Sequence, residues 1–237
     1  YRQVIQALRE RGMEPFVTLW HWTLPLWVRD QGGWENPKTV GDFLRYTGRV
    51  VDAFGREIRF WIPLNEPTIY VGFSYITGVF PPQVRSYRRG NRVLKHLISA
   101  HHATYRLIHD RLGADAMVGN AHNLHYNVPF RRWWPMDILA TRVFGYVRDL
   151  RPLRWTRHSE DFIGLNYYFR DTVKFILGKG RFPMIDIKNP NEWTSDMGWD
   201  ICPEGIYHSL KRLARYRKPI YITENGIADA QDVHRAR

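Results

Sequence analysis

Two glutamates draw attention by where they fall. Glu66 lies in Trp61-Ile62-Pro63-Leu64-Asn65-Glu66-Pro67 and Glu224 in Tyr221-Ile222-Thr223-Glu224-Asn225-Gly226. Each follows directly on an apolar run of strand character, where desolvation and neighbours can tune a carboxyl group. Hydrolysis of a glycosidic bond needs two such groups on opposite sides of the sugar carbon, one to protonate the leaving oxygen and one to attack. The bland alternative is that both are loop carboxylates capping neighbouring helices. If they act as a pair by double displacement, side chains 158 positions apart in the chain must face each other across about 5 Å.

The elements that must position them alternate in type. Strand-like runs at 16–20, 58–64, 116–120, 162–166 and 219–223 are interleaved with helix-like segments at 37–55, 92–112 and from Pro203 onward. Val40, Phe43, Leu44, Val50, Val51 and Phe54 make one apolar face of the first of these helices. Residues 121–160, aromatic and basic with weak periodicity, read as loop plus one helix near 136–148. The alternation is that of a parallel sheet covered by helices. The strands end in Trp20-His21, Asn65-Glu66, Gly119-Asn120, Leu165-Asn166 and Thr223-Glu224. In a βα barrel these C-terminal ends converge on one rim.

Composition narrows the classes. With 237 residues, 44% hydrophobic and 15% aromatic, the chain can bury one large core and reads as a single domain, 1–237, rather than a disordered segment. No apolar run approaches the roughly 18 to 20 residues of a membrane span, so no membrane partner is expected. The lone Cys202 excludes a disulfide framework and a multi-cysteine metal site, and fits a reducing, cytoplasmic compartment. It lies beside Pro203 at a helix start, where a thiol can be acidified, although a structural cysteine is the simpler reading.

The net charge of +12 raises the question of nucleic acid. Its densest groups, 85–92 and Arg131-Arg132-Trp133-Trp134, are short, do not repeat and carry no zinc-finger, single-strand-binding or helix-turn-helix pattern. They read as solvated surface, and no nucleic-acid partner is expected. His101-His102, His122 and His125 lack a suitably spaced carboxylate, so no metal and no cofactor are expected. Residues 1–11 read as a helix with no N-terminal cap, ending at Gly12, and the start of the protein is expected to lie upstream.

Five segments together resemble glycoside hydrolase family 1. They are Trp20-His21-Trp22-Thr23-Leu24-Pro25, Asn65-Glu66-Pro67, Asp161-Phe162-Ile163-Gly164-Leu165-Asn166-Tyr167-Tyr168, Met197-Gly198-Trp199-Asp200 and Ile222-Thr223-Glu224-Asn225-Gly226. They stand in the family's order at compatible spacing along almost the whole chain. The resemblance implies an α/β fold, a TIM (β/α)8 barrel, of which this chain carries the third to the seventh strands, the first two and the last being missing. It implies Glu66 as acid/base and Glu224 as nucleophile of a retaining β-glycosidase acting on a β-glucoside or β-galactoside. Asn65 resembles the residue that binds the sugar 2-OH, and His21, Trp22 and Asn166 match pocket positions. Tyr168 matches the tyrosine that hydrogen-bonds the nucleophile, and Trp199 an aromatic wall on the aglycone side. His21, Trp22, Tyr168 and Trp199 could each be packing residues instead.

Departures from the family pattern accompany the likeness. Thr23 stands where many members have Asp. Pro63 removes a backbone donor from a strand expected to be central, which calls for a bulge or a local shift. A Gln, an Arg, and a Glu and Trp that the family places on the first, second and eighth strands have no counterpart, and the segment between the third and fourth assigned strands is short. An open five-stranded sheet leaves two edges unpaired, so the isolated chain is expected to be marginally stable with little activity. Two other readings stay open: a 6-phospho-β-glycosidase, and a catalytically dead sugar-binding or scaffold barrel. Oligomeric state is not legible.

Overall fold

A computed structural model describes residues 1–178, 185–188 and 193–232. In chain order the elements are α1 (Arg2–Glu10), β1 (Phe16–Trp20), α2 (Leu26–Asp30), α3 (Lys38–Phe54), β2 (Phe60–Leu64), α4 (Pro67–Val71), α5 (Tyr87–Leu112), β3 (Met117–Val118), β4 (Ala121–Asn123) and β5 (Tyr126–Pro129). They continue with α6 (Pro135–Gly145), α7 (Arg151–Thr156), β6 (Ile163–Tyr167), β7 (Arg170–Phe175), β8 (Ile185–Lys188), α8 (Gly205–Leu213) and β9 (Ile220–Asn225). The chain divides into two compact units, Tyr1–His122 with Pro152–Gly164, and Asn123–Arg151 with Leu165–Arg237.

The first unit is built on a parallel sheet in the order β1-β2-β3. Every residue of β2 is buried, as a central parallel strand with both faces covered must be. Trp61 and Leu64 on β2, Trp34, and Val93, Leu94 and Leu97 of α5 belong to one hydrophobic core, with Phe43 and Val51 of α3. Of the expected apolar face of α3, Phe43 and Val51 are buried while Val40, Leu44, Val50 and Phe54 are half-buried. Helix α5 starts at Tyr87, five residues before the expected position, because Ser86 caps it: its hydroxyl accepts from the Arg89 backbone N–H. The basic run 85–92 thus opens a helix instead of lying in a loop.

Pro63 leaves a visible mark on the register. Toward β1 the pairing is continuous, from Phe16 with Phe60 to Trp20 with Leu64. Toward β3 it slips. Trp61 pairs with Val118, yet Asn65 pairs with Ala121, so β2 uses four residues where its neighbour uses three. Such a slip is a bulge in effect, and bulges re-aim the side chains that follow. The Leu64 N–H, displaced from the ladder, donates to Asn120 Oδ1 at 3.1 Å.

In the second unit β5 pairs parallel with β7, and β7 antiparallel with β8. Ala140 and Phe144 of α6 pack on Val173, with Phe175, Ile185 and Ile187 against them. β9 runs beside the end of β6, where Asn225 Nδ2 donates to the Tyr167 carbonyl at 2.6 Å.

Three expectations need correction. Residues 121–160 hold two strands (β4, β5), α6, a π turn at Tyr146–Leu150 and α7, not a loop with one helix. The strand expected at 116–120 is confined to Met117–Val118, although the Gly119 N–H still donates to the Trp61 carbonyl at 3.0 Å. The strands read from the alternation omit a separate three-stranded sheet, β5-β7-β8, whose β7–β8 pair is antiparallel.

Candidate active site

The first unit carries four of the eight candidate residues. Glu66 follows β2 with its backbone in the left-handed region, φ 43° and ψ 59°, a conformation costly for any residue but glycine. Its N–H donates to Ala121 O at 2.9 Å, and its carbonyl accepts from Ile69 and Tyr70. These bonds hold the turn, and Pro67 starts α4 with a pre-set φ and no N–H to satisfy. Glu66 therefore sits at the N-cap of α4, but its side chain makes no capping bond. The helix-cap alternative thus fails for this residue. Glu66 is 4% exposed.

Asn65 is buried beside it, with backbone N–H to Trp20 O at 3.0 Å. Its side-chain amide lies 3.1 Å from His21 Nε2, and its carbonyl accepts from the Trp22 indole N–H at 3.0 Å. Trp22 also has a positive φ, 74°, and its ring meets that of His21 edge-on at 5.3 Å. Two strand ends are thereby tied to each other, and His21, Trp22, Asn65 and Glu66 form one group. Two consecutive non-glycine strand ends, at Trp22 and Glu66, adopt strained backbone. Strain of that kind persists only where its surroundings over-determine it.

The second unit brings together the other four. Glu224 lies within β9, not at a helix start, so it too caps nothing. The Tyr168 hydroxyl donates to Glu224 Oε2 at 2.6 Å. Thr223, one residue earlier, donates its hydroxyl to Asn166 Oδ1 at 2.6 Å. The Asn166 carbonyl in turn accepts from Leu124 N–H. Trp199 faces Tyr168 at 5.5 Å between ring centroids and stacks on Phe169 at 4.7 Å. Its loop is pinned by the Arg170 to Asp200 ion pair, 2.7 Å, and by paired bonds between Ser195 and Trp199.

Behind that wall sits a buried polar network. His125 packs on Phe169 at 4.0 Å and bonds Asp171 through Nδ1 at 2.6 Å. Arg148 pairs with both Asp171 and Asp149. Burial drives the His125 imidazole below its usual range, and the Arg148 cation adds to this. Burial alone would raise the Asp171 carboxyl, but Arg148 and His125 hold it well below the carboxylate range. The network fixes Phe169, and Phe169 fixes Trp199.

Sequence reading missed several members of these groups. Asn120 was visible as a strand end but carried no role; it anchors the slip that precedes Glu66. Thr223 and Asn225, flanking Glu224, anchor β9 to β6, and their polar side chains within a strand were the available signal. Phe169, adjacent to the Asn-Tyr-Tyr run, offered none beyond its neighbours.

The histidines that raised the question of a metal have other partners. His101 donates its Nε2–H to the Ser159 carbonyl at 2.8 Å, and His122 bonds Glu160 at 2.7 Å. Among the described residues no group of three or more His, Cys, Asp or Glu is placed to hold a metal ion. Burial pushes the Cys202 thiol up, and the neighbouring Glu204 adds to this, the opposite of acidification.

The family profile described as "Glycosyl hydrolase family 1" matches residues 1–146 and 147–237. A beta-galactosidase of Pyrococcus woesei is 27% identical over 99% of this chain and 58% of its own length. Among solved structures, the beta-glycosidase from Pyrococcus horikoshii superposes with a TM-score of 0.89 at 30% identity, over 98% of this chain and 57% of that one. The beta-glucosidase from Thermotoga maritima in complex with deoxynojirimycin gives 0.83 at 29%, over 97% and 57%. The chain spans well under two thirds of the length of these relatives. By that likeness its fold is an α/β barrel of the TIM type, matched in part.

Proposed function

Because the chain belongs to glycosyl hydrolase family 1, we propose that residues 1–237 form part of one catalytic barrel domain that hydrolyses terminal β-glucosides or β-galactosides with retention. Glu224 is the nucleophile and Glu66 the acid/base. The observation that carries this reading is the 2.6 Å bond from the Tyr168 hydroxyl to Glu224 Oε2. A phenol that engages one carboxylate oxygen leaves the other oriented for attack.

In the first step the Glu66 carboxylic acid gives its proton to the glycosidic oxygen while a Glu224 oxygen bonds to the anomeric carbon. The bond from that carbon to the aglycone oxygen breaks, leaving a glycosyl ester. In the second step Glu66, now a carboxylate, takes a proton from water as the water oxygen attacks the same carbon and Glu224 departs. Two inversions give net retention. Asn65 binds the sugar 2-OH, a contact that strengthens in the transition state. His21, Trp22 and Asn166 line the sugar pocket, and Trp199 offers a flat face to the aglycone. Support for a carbohydrate ligand comes from the Thermotoga maritima relative solved with deoxynojirimycin.

Azide rescue tests the assignment. With an activated aryl β-glucoside, Glu224→Gly plus azide is expected to yield the α-glycosyl azide, and Glu66→Gly plus azide the β-glycosyl azide. Absence of both products in a folded protein that binds sugar would leave the non-catalytic sugar-binding reading. A strong preference for a 6-phosphorylated substrate would instead favour the phospho-glycosidase.

A further inference from the structure

Helix α6 is built the wrong way round for a helix that faces water. Its inner side carries Asp137, Ala140, Thr141, Phe144 and Gly145. Asp137 is fully buried there, bound by the Arg131 guanidinium and by the Phe175 N–H. The outer side places Met136, Leu139 and Val143 in solvent at helical spacing, and Val147 extends the stripe into the π turn that follows. Leu139 is 53% and Val143 50% exposed. At the head of the helix stand Trp133, 75% exposed, and Trp134. A surface helix ordinarily turns charge outward, and contiguous apolar exposure marks an interaction site.

The charge on this face has one sign. Between residues 130 and 151 the exposed charged side chains are Arg132 and Arg142. Both acids of the segment, Asp137 and Asp149, are buried and paired with arginines. A second copy laid on this face by a two-fold axis would set Arg132 and Arg142 against each other, with no exposed acid from the same segment between them. An anionic lipid surface satisfies both features: headgroups meet the arginines, and the apolar stripe and indoles enter the boundary below them. No helix among the described residues is long and apolar enough to cross a membrane. The expectation of no membrane partner rests on that criterion, which does not address contact at the interface.

We propose that the outer face of α6, with Trp133 and Trp134, docks on the surface of an anionic lipid bilayer. The proposal is independent of the glycosidase reading, since it uses none of the candidate catalytic residues. Co-sedimentation with phosphatidylcholine vesicles, with and without about 30% phosphatidylserine, tests it, with tryptophan fluorescence as a second readout. The protein is expected to partition onto the anionic vesicles with a blue shift, and less at high salt. Leu139→Glu with Val143→Glu should lower partition more than tenfold. Arg132→Gln and Arg142→Gln should each lower it roughly fivefold. All four sites are exposed, so circular dichroism and thermal midpoints should hold; were the double glutamate variant to unfold, the arginine variants decide. Equal binding to neutral and anionic vesicles, or unchanged partition in the folded variants, would overturn the proposal. So would self-association lost on Val143→Glu without any vesicle binding, which would assign the face to a second copy.

Discussion

Replacing Asn120 with leucine isolates the contact that sets up the Glu66 turn. Asn120 Oδ1 is the acceptor for the Leu64 N–H, at 3.1 Å in a fully buried position. Leucine keeps the branching and the number of heavy atoms and removes the acceptor, leaving a buried N–H unpartnered at a cost of ~1–3 kcal/mol. Part of this is offset, because Asn120 Nδ2 is itself buried without a hydrogen-bond partner and leucine removes it. The net loss is therefore about 1–2 kcal/mol, or roughly 2–8 °C in thermal midpoint for a chain of this size. The functional loss should be larger than the stability loss implies. Leu64 stands two residues before Glu66, and relaxation of the register slip moves the proposed acid/base, where a displacement of about 1 Å can cost on the order of a hundredfold in rate. The assay pairs amide hydrogen exchange at Leu64 and Asn65 with kcat/KM on an aryl β-glucoside. Faster exchange at Leu64 together with a fall in kcat is expected. Unchanged exchange and unchanged turnover in Asn120→Leu would refute the claim that Asn120 holds the slip.

Other perturbations have equally definite outcomes. Tyr168→Phe removes a charge-assisted hydrogen bond of ~1.5–3 kcal/mol and should lower kcat/KM roughly ten- to a hundredfold while the fold persists; wild-type turnover would contradict the nucleophile assignment. Gly119→Ala would put a Cβ 2.2 Å from the Phe162 carbonyl oxygen, a backbone atom that cannot turn aside. It should destabilise by ~1–3 kcal/mol or more, and a thermal midpoint equal to wild type would count against the register given for β3. His101, buried on α5, is pushed down to about 4 by its burial. Its folded value lies below the unfolded one, so the stability tied to the neutral ring is present above about pH 6.5 and is lost as pH falls toward 4. Urea midpoints should decline across that window in the wild type and less steeply in His101→Gln; parallel slopes would exclude His101 as the source.

Much of the site was legible because its signals are local. An apolar run that ends in Asn-Glu-Pro or Thr-Glu-Asn-Gly announces a strand and the residue at its tip. Pro63 could be recognised as a misfit for the same reason, although only the partner strand shows which ladder slips. What the sequence concealed depends on partners far along the chain. β4 includes His122, in the stretch read as loop, and β7 includes Asp171, in a stretch to which no element was assigned. Each is buried with hydrogen-bonding partners distant in sequence, Glu160 for the one and Arg148 and His125 for the other, at separations of 23 to 46 residues. Helix α6 was expected near 136–148, but not that Met136, Leu139 and Val143 point outward while its buried acid, Asp137, is satisfied by Arg131 and by a strand N–H 38 residues away. Hydrophobic spacing gives a helix its period, but not the face it turns to the core.

In the proposed mechanism Glu224 forms a covalent bond to the sugar. A 2-deoxy-2-fluoro-β-glucoside with a good leaving group slows the second step, so the glycosyl-enzyme accumulates and can be digested and sequenced by mass spectrometry. The fluoroglycosyl group is expected on the peptide containing Glu224, with β-configured product in the unhindered reaction. A label on any other residue, or first-formed product of α configuration, would contradict it.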